Sequence, residues 1–501
     1  MLAETLDTAA LDLAAVDPAA LAALAEARLN DGGFDGAIEL LRRWVGLDPH
    51  AVEAWVALAV GLTTASRPEA ALIACDAALR LQPNHPAALC AKARLLQSRG
   101  QPSRAGALFR RALAVESGRA EALLGLAGLA IDAGGWERAQ RWVTALAKSA
   151  PSAFDLDWLK ARIALGRGDM AEAERRTAAA LTPDTLTPKQ RADVLLLRGV
   201  ALDGLQRPAE AFGAAVAGKA LQRRLYAERM GARESEVAKF DRLAAWFDAA
   251  DPAPWRQAPA ASHVENEPAE HVFLLGFPQS GIDLLSGALA AHAKVKMLND
   301  APTLAAQSRA FLNGPEGLAQ LAVLPQAEAA AWRAHYWADV ASLGVKPAGR
   351  VFVDAGAAGT CALPVIAKLF PNAKLVLAVR DPRDVVLSGL RANLAVTPLT
   401  YPFTDIAEAA AGYAAAMRMT AAYRRALPLT MVEARYEALV TPHEMELQAI
   451  SDFLGLKPAP AAPNLAGRAE GVGRWRAYGA QLEPVIPILR PWIERLDYPA
   501  S

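Results

Sequence analysis

The chain has 501 residues, enough for two or three domains that each bury their own core. Lysine plus arginine and aspartate plus glutamate number 53 each, so no net field attracts nucleic acid or anionic lipid. The stretch Met1–Asp7 lacks the basic start of a signal peptide, and no apolar run reaches membrane-spanning length. The composition therefore predicts a soluble, cytoplasmic protein that neither binds nucleic acid nor inserts into a membrane.

The three cysteines have no metal-like spacing. Cys75 and Cys90 lie within apolar helical patterns, and Cys361 stands far from both. Buried cysteines behave as small hydrophobic residues, so we expect reduced thiols and no metal site.

Two ladders of alanine run through the N-terminal half at an interval of 34 residues. One consists of Ala25, Ala59, Ala93, Ala127 and Ala161, and the other of Ala37, Ala71, Ala105, Ala139 and Ala173. Pro49, Pro83 and Pro151 keep the same register and end three of the units. Small residues let two helices cross closely, so the pattern predicts stacked helix pairs.

This pattern resembles the tetratricopeptide repeat, a helix pair of the same period. The resemblance implies an α-solenoid over residues 17–222, after an N-terminal extension at 1–16. Five regular units reach about residue 187, and a looser sixth has Gly199 and Ala211 at its two small-residue positions. The concave face of such a solenoid commonly holds a peptide or a partner protein.

Residues 223–270 are predicted to connect the two halves as a helix followed by a proline-rich linker. Asp251–Pro259 carries three prolines in nine residues, which opposes helix and sheet alike. The 34-residue period ends before this stretch and a new pattern begins after it, so we place the domain boundary here.

The C-terminal half, residues 271–501, alternates apolar strands with helices. Four strands are predicted, at Val272–Phe277, Arg350–Asp354, Lys374–Arg380 and Leu429–Ala434. One helical stretch is expected at roughly 302–343, between the first two strands. This alternation predicts an α/β domain with a central parallel sheet and ligands at the carboxyl ends of its strands.

The first of these strands runs into a glycine-bearing loop, Gly276–Gly281, and then into a helix. In this layout the N–H groups of the loop and of the helix start face an anion such as phosphate. A nucleotide-hydrolase loop would continue with lysine and serine or threonine, but Ile282 and Asp283 stand there. We therefore expect a phosphate cradle that does not belong to a P-loop nucleotide hydrolase.

The third strand ends at Arg380, and Ser388 lies on the helix that follows. Both can point into one pocket at the strand's carboxyl end, where a guanidinium fork and a hydroxyl suit a phosphate monoester. In the alternative interpretation, Arg380 pairs with Asp381 or Asp384.

Together these segments resemble the two cofactor motifs of sulfotransferases. They are Gly276–Gly281 and Val379–Ser388, with further likenesses at Leu369–Lys374, Arg435–Val440, Phe453–Leu456 and Val472–Tyr478. The resemblance covers about residues 271–498, and with the repeats the whole chain resembles a bacterial tetratricopeptide-repeat sulfotransferase. It implies 3'-phosphoadenosine-5'-phosphosulfate as the donor, with no metal. The first motif would hold the 5'-phosphosulfate and the second the 3'-phosphate.

The resemblance implies these cofactor-binding residues: Gly276, Gln279, Ser280, Gly281, Ile282, Asp283, Arg380, Ser388, Tyr436, Arg474 and Trp475. Several positions depart from the family pattern. Gln279 replaces an arginine, Ile282 and Asp283 replace two threonines, and Ala355 replaces a lysine. Asp300 stands near the expected catalytic base and is our candidate for it, with a solvated loop aspartate as the alternative.

The sequence leaves two functions open. In the first, a sulfuryl group passes from the donor to a hydroxyl, on a protein or glycan recruited by the repeats. In the second, an inactive sulfotransferase-like domain serves as a scaffold or senses the donor or 3',5'-phosphoadenosine, and the repeats bind the partner protein.

Overall fold

The computed structural model describes residues 17–149, 152–182, 186–256, 268–440, 445–456 and 471–500. The chain divides into two compact units, Met1–Ala232 and Arg233–Ser501. The predicted extension at 1–16 and the stretch 257–267 of the predicted linker lie outside the described residues. No helix among the described residues is long and apolar enough to cross a membrane.

The described part of the first unit is a succession of paired helices. They are α1 (Pro18–Asp31), α2 (Phe34–Leu47), α3 (Val52–Thr64), α4 (Pro68–Leu81), α5 (Pro86–Ser98), α6 (Pro102–Val115), α7 (Ala120–Asp132), α8 (Trp136–Leu146), α9 (Ala153–Gly166), α10 (Met170–Ala180), α11 (Pro188–Gly204) and α12 (Pro208–Gly231). Many begin with proline, whose missing N–H costs nothing at a helix start.

The alanine ladders lie where neighbouring helices cross. All ten ladder alanines are at most 1% exposed. Gly125 in α7 allows a still closer approach, since a Cβ there would lie 2.2 Å from Cζ of the buried Phe109. In the last pair, a Cβ on Gly199 would lie 3.1 Å from the carbonyl oxygen of Ala211. The 34-residue period is therefore the repeat of close helix crossings.

The second unit is built on a five-stranded sheet in which every pairing is parallel. Its strands are β1 (Glu270–Gly276), β2 (Val295–Asn299), β3 (Val351–Ala355), β4 (Lys374–Val379) and β5 (Thr430–Arg435), in the spatial order β2-β3-β1-β4-β5. The helices of this unit are α13 (Glu236–Ala249), α14 (Ala253–Arg256), α15 (Ile282–Ala290), α16 (Ala305–Phe311), α17 (Pro315–Ala322), α18 (Gln326–Ser342), α19 (Leu363–Leu369), α20 (Pro382–Arg391), α21 (Ile406–Ala426), α22 (Tyr436–Val440), α23 (Met445–Phe453), α24 (Gly479–Leu482) and α25 (Ile486–Arg495).

The predicted combination of a helical repeat array and an α/β domain is confirmed, but two details of the second unit were wrong. Strand β2 was missed because it lies at the sheet edge and only its first residue, Val295, is buried. The expected helical stretch at 302–343 is three helices, because proline follows each break, at Pro315 and Pro325.

The region before β1 is partly folded onto the second unit. Helix α13 packs against α21. The short α14, within the proline-rich stretch, buries Trp255, whose ring lies 5.2 Å from Phe247 and 6.2 Å from Trp246 between centroids. The described prolines therefore belong to an anchored connection.

The carboxyl ends of all five strands meet at one edge of the sheet, as parallel pairing requires. The loop after β1, the turn after β2, the end of β3 and Arg380 after β4 are thus neighbours. Any ligand site made from the predicted motifs has to lie at this edge.

Candidate functional site

The loop between β1 and α15 has the backbone of an anion cradle. Gln279 and Gly281 both have positive φ, 70° and 104°, and the N–H of Ser280 donates to the carbonyl oxygen of Phe277 at 3.0 Å. Gly281 is the residue that precedes α15, and a Cβ there would lie 2.6 Å from Cδ2 of Tyr436. Both the conformation and the neighbouring ring therefore require glycine.

Gly276, at the end of β1, is held by a threonine that the sequence analysis missed. The Thr360 hydroxyl accepts from the N–H of Gly276 and donates to its carbonyl oxygen, each at 3.0 Å. A Cβ on Gly276 would lie 2.4 Å from Oγ of Ser280, so this glycine makes room for the serine. Oγ of Ser280 is itself buried and has no hydrogen-bond partner among the described residues.

Arg380 is buried beside this loop. Its Nη1 donates to the carbonyl oxygen of Gln279 at 3.1 Å, and its Nη2 donates to that of Gly471 at 2.8 Å. The guanidinium also lies 4.3 Å from the ring centroid of Tyr436. The alternative that Arg380 pairs with Asp381 is wrong, because Asp381 forms its ion pair with Arg383 at 2.8 Å.

Ser388 is joined to the same loop through the side chain of Gln279. The hydroxyl of Ser388 donates to Oε1 of Gln279 at 2.7 Å. One residue therefore contacts both members of the second motif, the arginine through its carbonyl oxygen and the serine through its amide. The two predicted motifs form a single site, and Gln279 lies at its centre.

Three family models match the chain, one in the second unit and two in the first. The model described as "Sulfotransferase family" matches residues 271–460. Models described as "Tetratricopeptide repeat" match residues 3–52, 22–86 and 96–163. Residues 271–460 are a sulfotransferase-family domain. Tetratricopeptide repeats precede it.

Several solved structures match this chain at low sequence identity. Sulfotransferase STF9 from Mycobacterium avium is 12% identical, with a TM-score of 0.28, and the match covers 66% of this chain and 96% of that one. A tetratricopeptide repeat protein from Parabacteroides merdae is 15% identical (TM-score 0.30; 42% and 86% covered). PilF from Pseudomonas aeruginosa is 17% identical (TM-score 0.31; 43% and 97% covered). No curated protein matches the sequence.

The C-terminal segment of the second unit is anchored to the second motif by Asp384. Its Oδ2 accepts from the N–H of Gly473 at 2.7 Å, and its Oδ1 accepts from the N–H of Trp475 at 2.8 Å. Burial raises the pKa of Asp384 to about 6, against the effect of these bonds and of Arg380. Arg380 thus acts electrostatically on Asp384, and Asp384 also has an anchoring role that the sequence analysis missed.

Arg383 fixes the same segment from the other side. Its guanidinium lies 3.6 Å from the ring centroid of Trp475, and its Nη atoms donate to the carbonyl oxygens of Pro499 at 2.6 Å and Ala500 at 3.2 Å. Trp475 is thus held against Arg383 in a 3-10 helix that begins at Arg474. Gly471, three residues before Arg474, accepts a hydrogen bond from Arg380.

The substituted positions of the 5' half lie at the start of α15. Ile282 packs on the hydrophobic core under the sheet edge, and Asp283 is exposed in the first helical turn. The N-cap residue of α15 is Gly281, which has no side chain that could cap the helix. Ala355 is buried, and its carbonyl oxygen accepts from the N–H of Asp300 at 2.7 Å.

The candidate base Asp300 lies in the turn after β2 with φ of 47°. Desolvation and, second, the Asp283 carboxylate raise its pKa above the ordinary value. Its neighbour Asp354, the penultimate residue of β3, is buried, and its Oδ2 accepts from the Thr303 hydroxyl at 2.7 Å and the Tyr336 hydroxyl at 2.9 Å. Burial raises the pKa of Asp354 to about 6 despite these bonds. The sequence analysis named Asp354 only as the end of a predicted strand.

The described residues contain no group of three or more His, Cys, Asp or Glu side chains that could hold a metal ion. The polar groups that meet at the loop are the Arg380 guanidinium, the loop N–H groups and the hydroxyls of Ser280 and Ser388, a set that suits an anion.

Proposed function

We propose that the second unit transfers a sulfuryl group from 3'-phosphoadenosine-5'-phosphosulfate to a hydroxyl acceptor. The observation that carries this proposal is the meeting of the 276–281 loop with Arg380 and Ser388 around Gln279. Two buried polar atoms at this site, Ser280 Oγ and Arg380 Nε, have no partner among the described residues. Buried polar groups are normally hydrogen-bonded, and phosphate oxygens would satisfy both, so the residues fit the family's nucleotide.

Each residue then has a specific task. Arg380 and Ser388 hold the 3'-phosphate once Ser388 has released Gln279, and Tyr436 keeps the guanidinium plane in place. The loop N–H groups and Ser280 hold the 5' end. When bound, the nucleotide supplies the sulfuryl group: the acceptor oxygen bonds to sulfur while the sulfur–oxygen bond to the 5'-phosphate breaks and leaves its electron pair on the phosphate oxygen. Asp300 takes the hydroxyl proton, and its raised pKa suits a general base.

Calorimetric titration of the full chain with 3',5'-phosphoadenosine tests the nucleotide site. We expect a dissociation constant in the micromolar range, weakened about tenfold in Ser388→Ala by loss of a hydrogen bond to a charged phosphate. Ser342→Ala, which removes an exposed hydroxyl that donates only to a local carbonyl, is the control. The proposal fails if the nucleotide does not bind below the millimolar range. Mass spectrometry with donor and hydroxyl acceptors then measures transfer.

A second function, a nucleotide sensor without turnover, is favoured by one observation. The site contains the carboxylates Asp283 and Asp300 near the 5' half, and no lysine stands at Ala355 to stabilise the leaving phosphate. Asp283→Thr should strengthen donor binding, because it removes like charge at close range. Tight nucleotide binding with no sulfate transfer to any acceptor, in the wild type and in this variant, would select the sensor.

The tetratricopeptide repeats supply the partner-binding part of either function. Arrays of this kind expose one face of their helix pairs along their length, which suits an extended peptide or a protein surface. We propose that a protein binds there. Binding that is retained by residues 1–232 and independent of the nucleotide would separate this role from the site in the second unit.

A further inference from the structure

A cavity of about 310 Å³ lies in the second unit at the carboxyl edge of β1 and β3. Its walls are mostly apolar and include Phe273, Leu275, Leu304, Leu312, Ala355 and Ala362. This volume is at the small end of the range for ligand pockets, so a compact molecule fits and a folded surface does not. None of the residues assigned to the nucleotide lines this cavity. The candidate base Asp300 does.

Asp300 connects this cavity to the loop site. It lines the cavity, and its carboxyl is close enough to Asp283 at the start of α15 for the Asp283 charge to raise its pKa. A hydroxyl that reaches Asp300 from the cavity is at the same carboxyl edge of the sheet as the cradle, since Asp300 follows β2 and the cradle follows β1. The second carboxyl in the wall, Asp354, already accepts two hydroxyl hydrogen bonds on Oδ2.

The cation in the wall is Lys239, which belongs to α13. Its ammonium is 3.8 Å from Oε1 of Glu236, at the outer limit of an ion pair. Lys239 lowers the pKa of Cys361, another wall residue, against the larger effect of burial. The ammonium and the two carboxyls belong to separate elements of the wall, because Lys239 lies on α13 and pairs with Glu236 of the same helix, whereas Asp300 follows β2 and Asp354 lies in β3.

We propose that this cavity binds the acceptor, a small hydroxyl compound with an apolar body and a carboxylate at the end remote from the hydroxyl. The inference rests on the proposed sulfuryl transfer and narrows its acceptor from a protein or glycan to a small molecule. Lys239 pairs with the ligand carboxylate, the apolar walls cover its body, and Asp300 accepts the hydroxyl proton. A ligand amine would instead be drawn toward Asp300 and Asp354, which would turn the hydroxyl away from the cradle.

Three phenols of similar size test the charge pattern: para-hydroxyphenylacetate, para-ethylphenol and tyramine, which carry a carboxylate, no charge and an ammonium. Binding to the full chain is measured without donor, by calorimetry and by protection of Cys361 from a small thiol reagent. Cys361 is half-buried in the cavity wall, while Cys75 and Cys90 are buried elsewhere and serve as internal controls. We expect para-hydroxyphenylacetate to bind most tightly and to slow modification of Cys361.

Lys239→Met keeps the apolar stem and removes the charge. It should weaken the binding of para-hydroxyphenylacetate about tenfold, since a charge-assisted bond is lost. The affinity for para-ethylphenol should not change. Lys346→Met removes the same charge at an exposed position outside the cavity and should change neither. Ala301→Phe, which adds bulk to the wall, should abolish protection of Cys361 by all three phenols.

The inference is overturned if tyramine binds as tightly as the carboxylate compound, or if Lys239→Met and Lys346→Met behave alike. It is also overturned if no phenol protects Cys361 in a chain that binds 3',5'-phosphoadenosine, which leaves the transferase proposal standing. Protection of Cys361 without any nucleotide binding has the opposite meaning: the hydroxy-acid site is supported and the transferase fails.

Discussion

The repeat array and the loop site differ in what fixes their residues. In the array, all ten ladder alanines are buried at crossings where only their small size matters. In the loop site, the backbone shape is fixed by Gly276 and Gly281, while the polar side chains are fixed by each other, as in the bond between Gln279 and Ser388. Packing needs only residues of the right size at each crossing, whereas the site needs particular pairs of polar atoms.

The largest effect is expected from the buried ion pair of the site. Arg383→Ala leaves the Asp381 carboxylate buried without its partner and should lower the free energy of unfolding of the second unit by about 4 kcal/mol. In the array, Arg207→Ala removes an exposed pair with Glu210 and should change stability far less. Denaturant unfolding, monitored by hydrogen exchange in peptides from each unit, measures the stability change caused by each of the two substitutions. Similar losses would contradict the comparison.

Asp354 makes the stability of the site depend on pH. Its pKa of about 6 in the folded protein, raised from 3.8 by burial, means that the folded state binds the proton more tightly. The stabilisation that this tighter proton binding gives the folded state is complete below about pH 4. It is lost as the pH rises through about 6, which lowers the free energy of unfolding by about 3 kcal/mol.

Asp354→Asn keeps an acceptor for Thr303 and Tyr336 but does not titrate. Relative to this variant, the wild type should lose about 3 kcal/mol of stability between about pH 4 and about pH 7 in urea unfolding. If the unfolding free energies of the two proteins stay parallel over this pH range, burial does not raise the pKa of the Asp354 carboxyl.

Gly125 tests the array by size alone. Gly125→Ala puts a methyl group 2.2 Å from Cζ of Phe109, which is fully buried, and should cost about 2 kcal/mol. Gly213→Ala in α12 meets no atom within 4 Å and should stabilise its helix by about 0.5–1 kcal/mol. Thermal unfolding of the two variants compares them, and the same sign for both would refute the crossing argument.

The smallest effect is expected where Gln279 competes with a ligand. Gln279→Ala frees the Ser388 hydroxyl and should strengthen 3',5'-phosphoadenosine binding about fivefold, the equivalent of about 1 kcal/mol for one hydrogen bond. In the Ser388→Ala background the same change should give no gain. Calorimetry on the four chains of this double-mutant cycle measures the coupling, and a weaker affinity in Gln279→Ala would assign that amide to the ligand.

The sequence was informative where a position depends on a repeated shape. The 34-residue register predicted the crossings, and the apolar runs predicted four strands, whereas the mixed polarity of edge strand β2 concealed the fifth. The loop was found because its glycines are needed locally. Pairings such as Gln279 with Ser388, 109 residues apart, or Asp384 with Trp475, 91 apart, leave no local signal, because several acceptors in the chain suit each donor.

The bonds from Arg383 to Pro499 and Ala500 also bear on how the protein folds during synthesis. These carbonyl groups lie 116 and 117 residues further along the chain. At about 5–20 residues per second, the ribosome needs roughly 6–24 seconds to add them after Arg383. The repeat array has left the ribosome by then. The proposed partner protein therefore has the opportunity to bind the nascent chain before Arg383 has gained its contacts with Pro499 and Ala500.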